Sequence, residues 1–197
     1  MERAAAGAWI AARRRAGGER EDTRGDDRLK RRRESRHRAA GATPRLLVAT
    51  VGRAGRAGAH EVALFDRYAA RISFPLAVKE VRSRRALTAP DAVRHEGELL
   101  LKAVPDGAVV VALDAAGKTL TSAAFAKRLG AWRDGGVKDV AFLIGSADGL
   151  DGAVTGGAEL VLSLGTMTWP HLLARAMLAE QIYRAQCILS GHPYHRE

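Results

Sequence analysis

Three short apolar runs constrain this chain more than any other feature. They are Leu46-Leu47-Val48-Ala49-Thr50-Val51, Val109-Val110-Val111-Ala112-Leu113 and Val140-Ala141-Phe142-Leu143-Ile144. A strand with one wet face alternates apolar and polar residues, whereas a strand that is apolar throughout is buried on both faces. Amphipathic stretches separate the runs. His60 to Ile72 reads as a helix with Val62, Leu64, Phe65 and Tyr68 toward a core. Pro90 to Val104 reads as a second helix, with Pro90 in its first turn and Asp91 close behind. Thr121 or Ser122 caps a third, which runs to Trp132 and stops at Gly135-Gly136. Pro170 opens a fourth, running to about Leu189 with Gly191 as its stop. Leu76 to Val81 and Glu159 to Leu164 supply two more strands. Strands alternating with helices predict an α/β fold, one domain over residues 43–197, with a mostly parallel sheet of about five strands.

Residues 1–42 do not share this pattern. They hold 13 Lys/Arg and 7 Asp/Glu, a net of +6 out of +10 for the whole chain, and they have no sustained apolar period. Such a composition cannot bury a core and predicts a disordered basic extension. The seven acids argue against an organellar transit peptide. A nucleic-acid-binding arm, a start-site artefact and a dispensable extension remain as readings, and the last is preferred. The remaining residues carry a net of +4, compatible with a polyanionic partner. No apolar run approaches the roughly 20 residues that span a bilayer. A single cysteine, Cys187, excludes an intrachain disulfide and makes a reducing, cytoplasmic setting the default.

Ligands of open α/β sheets bind beyond the carboxyl ends of the strands. Three loops at such ends stand out: Leu113-Asp114-Ala115-Ala116-Gly117-Lys118, Gly145-Ser146-Ala147-Asp148-Gly149-Leu150 and Leu164-Gly165-Thr166-Met167-Thr168-Trp169-Pro170. None is a Walker A loop or a GxGxxG fingerprint, which argues against a nucleotide-phosphate cradle. The chain then ends in His192-Pro193-Tyr194-His195-Arg196-Glu197, two imidazoles, a phenol and a guanidinium behind a proline. Termini are usually dull; a tail this rich in proton-handling groups points to a site closed by the end of the chain. His192-x-x-His195 lacks a third ligand nearby and makes a poor metal pair. Cys187, Trp132 and Leu172, Leu173, Ala176, Met177 and Leu178 read as packing or interface residues.

Gly145-Ser-Ala-Asp-Gly-Leu, Leu164-Gly-Thr-Met-Thr-Trp-Pro-His171, Glu180-Gln-Ile-Tyr-Arg-Ala185 and the His192–Glu197 tail, in this order and spacing, resemble the ribosomal large subunit methyltransferase H family of the SPOUT class. The resemblance covers residues 45–197. It implies an α/β knot with a C-terminal trefoil, S-adenosylmethionine held in the knot, and a homodimer with each active site shared between subunits. The implied reaction is methylation of N3 of a pseudouridine in 23S ribosomal RNA of the assembled ribosome, without membrane or metal. Leu113, Gly145, Leu164, Gly165, Thr166, Met167, Thr168 and Trp169 match the family's cofactor positions. Arg184, Tyr194, His195 and Arg196 match its target-site positions. The chain departs from the family's common Gly-Gly-Pro-Glu-Gly at Ser146-Ala147-Asp148.

An imide nitrogen must lose its proton before it attacks a sulfonium methyl, so a base or anion stabiliser helps. By unperturbed pKa His195 is the natural acceptor. Arg184 and Arg196 can hold a phosphate or the developing oxygen charge, and Tyr194 can stack on the base or donate a hydrogen bond. Two other functions compete: a SPOUT enzyme acting on tRNA, which should lack this tail, and an RNA-binding assembly factor that transfers no methyl group.

Overall fold

The computed structural model describes residues 43–52, 60–83 and 86–196. The expectations for residues 1–42, and Glu197 of the tail, lie outside the described residues.

Ten elements alternate along the chain: β1 (Arg45–Val51), α1 (His60–Ala69), β2 (Leu76–Val81), α2 (Ala89–Ala103), β3 (Val109–Thr119), α3 (Ser122–Asp134), β4 (Asp139–Ile144), α4 (Gly152–Gly157), β5 (Leu160–Ser163) and α5 (His171–Ser190). The strands form one sheet in the order β2-β1-β4-β3-β5, and every pairing is parallel. Central β4 is buried at every position. Its odd and even residues serve opposite faces: Val140, Phe142 and Ile144 join a core with α3 and α5, while Ala141 and Leu143 join one with α2 and α4. This two-sided burial is what the unbroken apolar runs predicted. Edge strand β2 contrasts with it, exposing Ala77 through Glu80.

The caps follow the sequence signals. The Thr121 hydroxyl accepts a hydrogen bond from the Ala124 amide at 3.1 Å, opening α3. Gly191, at φ +71°, closes α5 in the left-handed conformation.

Four expectations need correction. α1 stops at Ala69, short of Ile72: Arg71 and Ile72 bond back to Tyr68 and Ala69 in a tight turn that Pro75 soon after requires. Leu64 faces out at 37% exposure, because α1 meets α5 through Phe65, Tyr68 and Ala69. β3 does not end at Asp114. It bulges: Leu113 and Lys118 both pair with Leu162, and Asp114 through Gly117 loop out between them. The Asp114 carboxylate accepts from the Ala116 amide at 2.8 Å, which holds the bulge in a turn. Finally, β5 is shorter than Glu159–Leu164, and the short helix α4, capped by Asp151 onto the Ala153 amide, precedes it unforeseen.

Trp132, expected to pack, is buried at 5% exposure and donates its indole N–H to Glu159 at 2.7 Å.

Candidate active site

The carboxyl ends of β3, β4 and β5 open onto a cavity of about 590 Å³. Three segments build it: Leu113 to Ala115 from the β3 bulge, the loop after β4, and the loop from Leu164 into α5. Its size falls within the range of small-ligand sites, and apolar walls such as Leu113, Ile144, Leu162 and Trp169 alternate with a few polar groups. Of the eight residues assigned to a cofactor, Leu113, Gly145, Leu164, Gly165, Met167, Thr168 and Trp169 line this one cavity. Thr166 is exposed and does not.

The glycines serve the loops before they serve a ligand. A Cβ on Gly145 would collide with the carbonyl oxygen of Gly149, so the absent side chain lets this loop close on itself. The departure Ser146-Ala147-Asp148 leaves that closure intact, because Ser146 still bridges to Gly149. Gly165 holds φ +138°, a conformation that L side chains rarely adopt, and the Ser163 hydroxyl pins it by donating to its carbonyl at 2.7 Å. Met167 and Trp169 are exposed at 69% and 37%. These large apolar side chains at a cavity mouth are available to a ligand.

His171, which the sequence reading passed over, also lines the cavity. Its Nε2 is buried with no hydrogen-bond partner among the described residues and faces Gly52 at the end of β1. One turn on, Arg175 pairs with Glu80 at 3.2 Å and stacks on Phe65, and its Nε has no partner among the described residues.

The tail residues lie elsewhere. Arg184, Tyr194 and His195 gather on the flank of α5 beside α1. The Glu180 carboxylate is their hub. Its Oε1 accepts from Arg184 Nε at 2.9 Å, from Arg184 Nη2 at 2.5 Å and from the Tyr194 hydroxyl at 3.0 Å. The Tyr194 ring meets Tyr183 edge-on at 4.8 Å and lies under the guanidinium carbons of Arg184, at 4.8 Å, and Arg71, at 5.5 Å. Burial, with the hydrogen bonds to Tyr68 and Glu180, pushes the Tyr194 phenol above its ordinary range. Tyr194 is therefore a donor at neutral pH and an unsuitable base. Its partly buried ring packs within the tail cluster. The hydrogen bond to Glu180 raises the Arg184 pKa further.

Arg184 Nη1 lies 3.5 Å from His195 Nδ1. A guanidinium has donors only, so this contact is a hydrogen bond only in the tautomer that leaves Nδ1 bare and carries the proton on Nε2. Arg196 is exposed and makes no hydrogen bond among the described residues. Sequence reasoning missed Arg71, Tyr68 and Glu180. Glu180 lay inside a recognised motif, but nothing in the spacing marked it as the tail's anchor.

Ten residues of α5 separate Ala174, at the cavity, from Arg184. At the helical rise this is about 15 Å. The tail cluster and the cavity are thus two distinct places on one chain.

A mostly apolar cavity at the carboxyl ends of a parallel sheet, walled by the loops after β4 and β5, is the frame of a cofactor-binding α/β enzyme. A model of the family described as "Predicted SPOUT methyltransferase" matches residues 45–195. The ribosomal RNA large subunit methyltransferase H of Rhodospirillum centenum is 55% identical over 152 residues, which are 77% of this chain and 99% of that protein. Its namesake in Paramagnetospirillum magneticum has the same identity and coverage, and that of Dinoroseobacter shibae is 53% identical over 67% of this chain and 83% of its own. The chain belongs to the ribosomal RNA large subunit methyltransferase H family of SPOUT methyltransferases. Among solved structures, the SpoU methyltransferase AviRb from Streptomyces viridochromogenes, crystallised with AdoMet, aligns over 76% of this chain and 61% of its own at 14% identity and a TM-score of 0.41, too distant to bear on function.

Proposed function

We propose that this chain transfers a methyl group from S-adenosylmethionine to N3 of a pseudouridine in 23S ribosomal RNA of the assembled ribosome, as a homodimer in the cytoplasm. The observation that carries the reading is the convergence of seven family cofactor positions on one cavity, in a chain that covers nearly the whole length of its relatives. The residues suit the cofactor: apolar walls for an adenine and a methionine stem, loop backbone for its polar edges, and a volume sufficient for both. When bound, the sulfonium supplies an already activated methyl group, so no metal is required. Among the described residues, no group of three or more His, Cys, Asp and Glu side chains could hold one. The trefoil knot belongs to the same reading, in keeping with two loops that pack side by side at the cavity.

The shared active site is supported by distance. Arg184 stands nearly three helical turns along α5 from Ala174 at its own chain's cavity, so a second copy is the route by which these tail groups reach the methyl donor. In that role Arg184 and Arg196 hold phosphate or the oxygen charge that develops as N3 is deprotonated. His195 accepts the proton only once its Nδ1 turns from Arg184 or the ring changes tautomer and bares Nε2. Tyr194 holds the tail in place. No helix among the described residues is long and apolar enough to cross a membrane.

The test is transfer of an isotope-labelled methyl group from S-adenosylmethionine to intact ribosomes lacking the modification, followed by mass analysis of the RNA. One label on a pseudouridine of 23S RNA is expected. Label on tRNA alone selects the rival enzyme reading. Cofactor binding with no transfer to any RNA overturns both.

A further inference from the structure

The most heavily used polar side chain in the tail region is one that neither the resemblance nor the relatives' names single out. Glu180 is partly buried, at 17% side-chain exposure, and both its oxygens are engaged. Oε1 takes three hydrogen bonds, two from Arg184 and one from Tyr194. Oε2 accepts from Gln181 Nε2 at 2.7 Å, and Gln181 in turn accepts from Ser122 at the start of α3. One carboxylate thus ties α5 to the tail and, through its neighbour, to a second helix.

The pairing with Arg184 is specific in geometry. Glu180 takes Nε and Nη2, one edge of the guanidinium fork. Both bonds converge on the one oxygen Oε1, which holds that edge of the guanidinium against the carboxylate. The opposite edge, Nη1, is then aimed at His195 Nδ1. Without the carboxylate the guanidinium would rotate freely, and its positive charge would no longer be directed. Tyr194 would lose the nearer and charged acceptor of its hydroxyl, keeping only Tyr68 at 3.5 Å, and with it a reason to stay under Arg71 and Arg184.

We propose that Glu180 is a positioning residue of the target site: it latches the C-terminal tail to α5 and orients Arg184 so that the Nη1 edge faces His195 and the incoming RNA. This rests on the reading above that Arg184 and the tail serve the target. It assigns Glu180 no contact with the nucleobase.

The test uses the full chain and the variants Glu180→Gln, Glu180→Ala, Arg184→Ala and the double Glu180→Ala/Arg184→Ala. Glu180→Gln keeps the volume and one acceptor but loses the charge, so an unchanged melting temperature is expected and checks folding. Its kcat on ribosomes should fall about tenfold or more while S-adenosylmethionine affinity by calorimetry is unchanged, since Glu180 does not line the cofactor cavity. In the Arg184→Ala background, Glu180→Ala should cost less than it does in the wild-type chain, because no guanidinium is left to orient and only the Tyr194 latch is lost. Wild-type turnover in Glu180→Gln, or losses that simply add, would overturn the assignment.

A second readout does not depend on the substrate. Carboxypeptidase Y should release Tyr194 faster from Glu180→Ala than from the wild-type chain. Equal release rates sink the latch whatever the RNA turns out to be. Faster release together with a wild-type chain inert on ribosomes would instead sink the substrate reading and leave the latch standing.

Discussion

Asp139 opens β4 with its side chain largely covered, and Arg45 of β1 grips both its oxygens, Nε to Oδ1 at 2.7 Å and Nη2 to Oδ2 at 2.8 Å. That hydrogen-bonded pairing holds the Asp139 carboxyl below the usual aspartate range. A carboxyl whose folded pKa is depressed contributes stability that is full above its unfolded pKa and is lost as pH falls through the folded value. The ion pair should therefore stabilise the sheet at neutral pH and fade below about pH 4, where unfolded aspartate takes up its proton. Asp139→Asn should lower the melting temperature at pH 7 and narrow its gap to wild type in acid. A gap that stays constant across the titration would assign the loss to packing. Gly145 carries a second expectation at this scale. The resemblance makes it a cofactor position, and the clash a side chain would make is with Gly149 of its own loop. Gly145→Val should thus cost ~1–3 kcal/mol of stability by forced repacking, as well as cofactor affinity. Trp169→Ala, half in solvent at the cavity mouth, should weaken cofactor binding and leave the melting temperature alone. If calorimetry shows full affinity for Trp169→Ala, that face of the cavity does not hold the cofactor.

Elements show why some of this was legible in the sequence and some was not. β1, β3 and β4 announced themselves because burial on both faces leaves an unbroken apolar run. The caps of α3 and α5 were legible because Thr121 and Gly191 act within their own turn. α4 was not, since Gly-Ala-Val-Thr-Gly-Gly has little helical propensity and its one buried anchor, Val154, is held by tertiary contact. The β3 bulge was hidden for a similar reason: Lys118 resumes the ladder with β5 over a distance that no local signal encodes. Seven of the residues that the motifs assigned to a cofactor meet at one cavity, but the carboxylate that organises the tail lies one helical turn before Arg184, inside a motif that gave it no role. The tail carries the prediction proper to this scale. Deleting residues 192–197 should abolish methylation and spare cofactor affinity. His195→Ala should lower turnover by about 10²–10⁴ if it acts as base, with partial recovery at high pH as the imide ionises unaided. Arg184→Ala should recover less, because its loss removes charge stabilisation and pH does not restore that. A His195→Ala pH–rate profile that superposes on wild type would pass the role of base to solvent.

Along the whole molecule charge is unevenly spread. The chain carries +10, of which +6 lies in residues 1–42 and +4 in the rest. The family match begins at residue 45, and relatives whose sequences are covered to 99% are met by 77% of this chain. Everything the family needs to fold and to hold its cofactor is therefore expected downstream of the extension. Removing residues 1–42 should leave the melting temperature and S-adenosylmethionine affinity unchanged. The electrostatics should respond differently. Ribosomal RNA attracts cations over long range, and affinity gained that way falls with salt in proportion to the phosphates neutralised. A chain trimmed from +10 to +4 should bind ribosomes more weakly at low ionic strength and show a shallower dependence of log Kd on log salt, the two chains converging as the charge is screened. Melting curves and a salt series on the full and trimmed chains decide both halves. A drop of several degrees on trimming would place part of the fold in the extension, and parallel salt slopes would show that its charge never reaches the RNA.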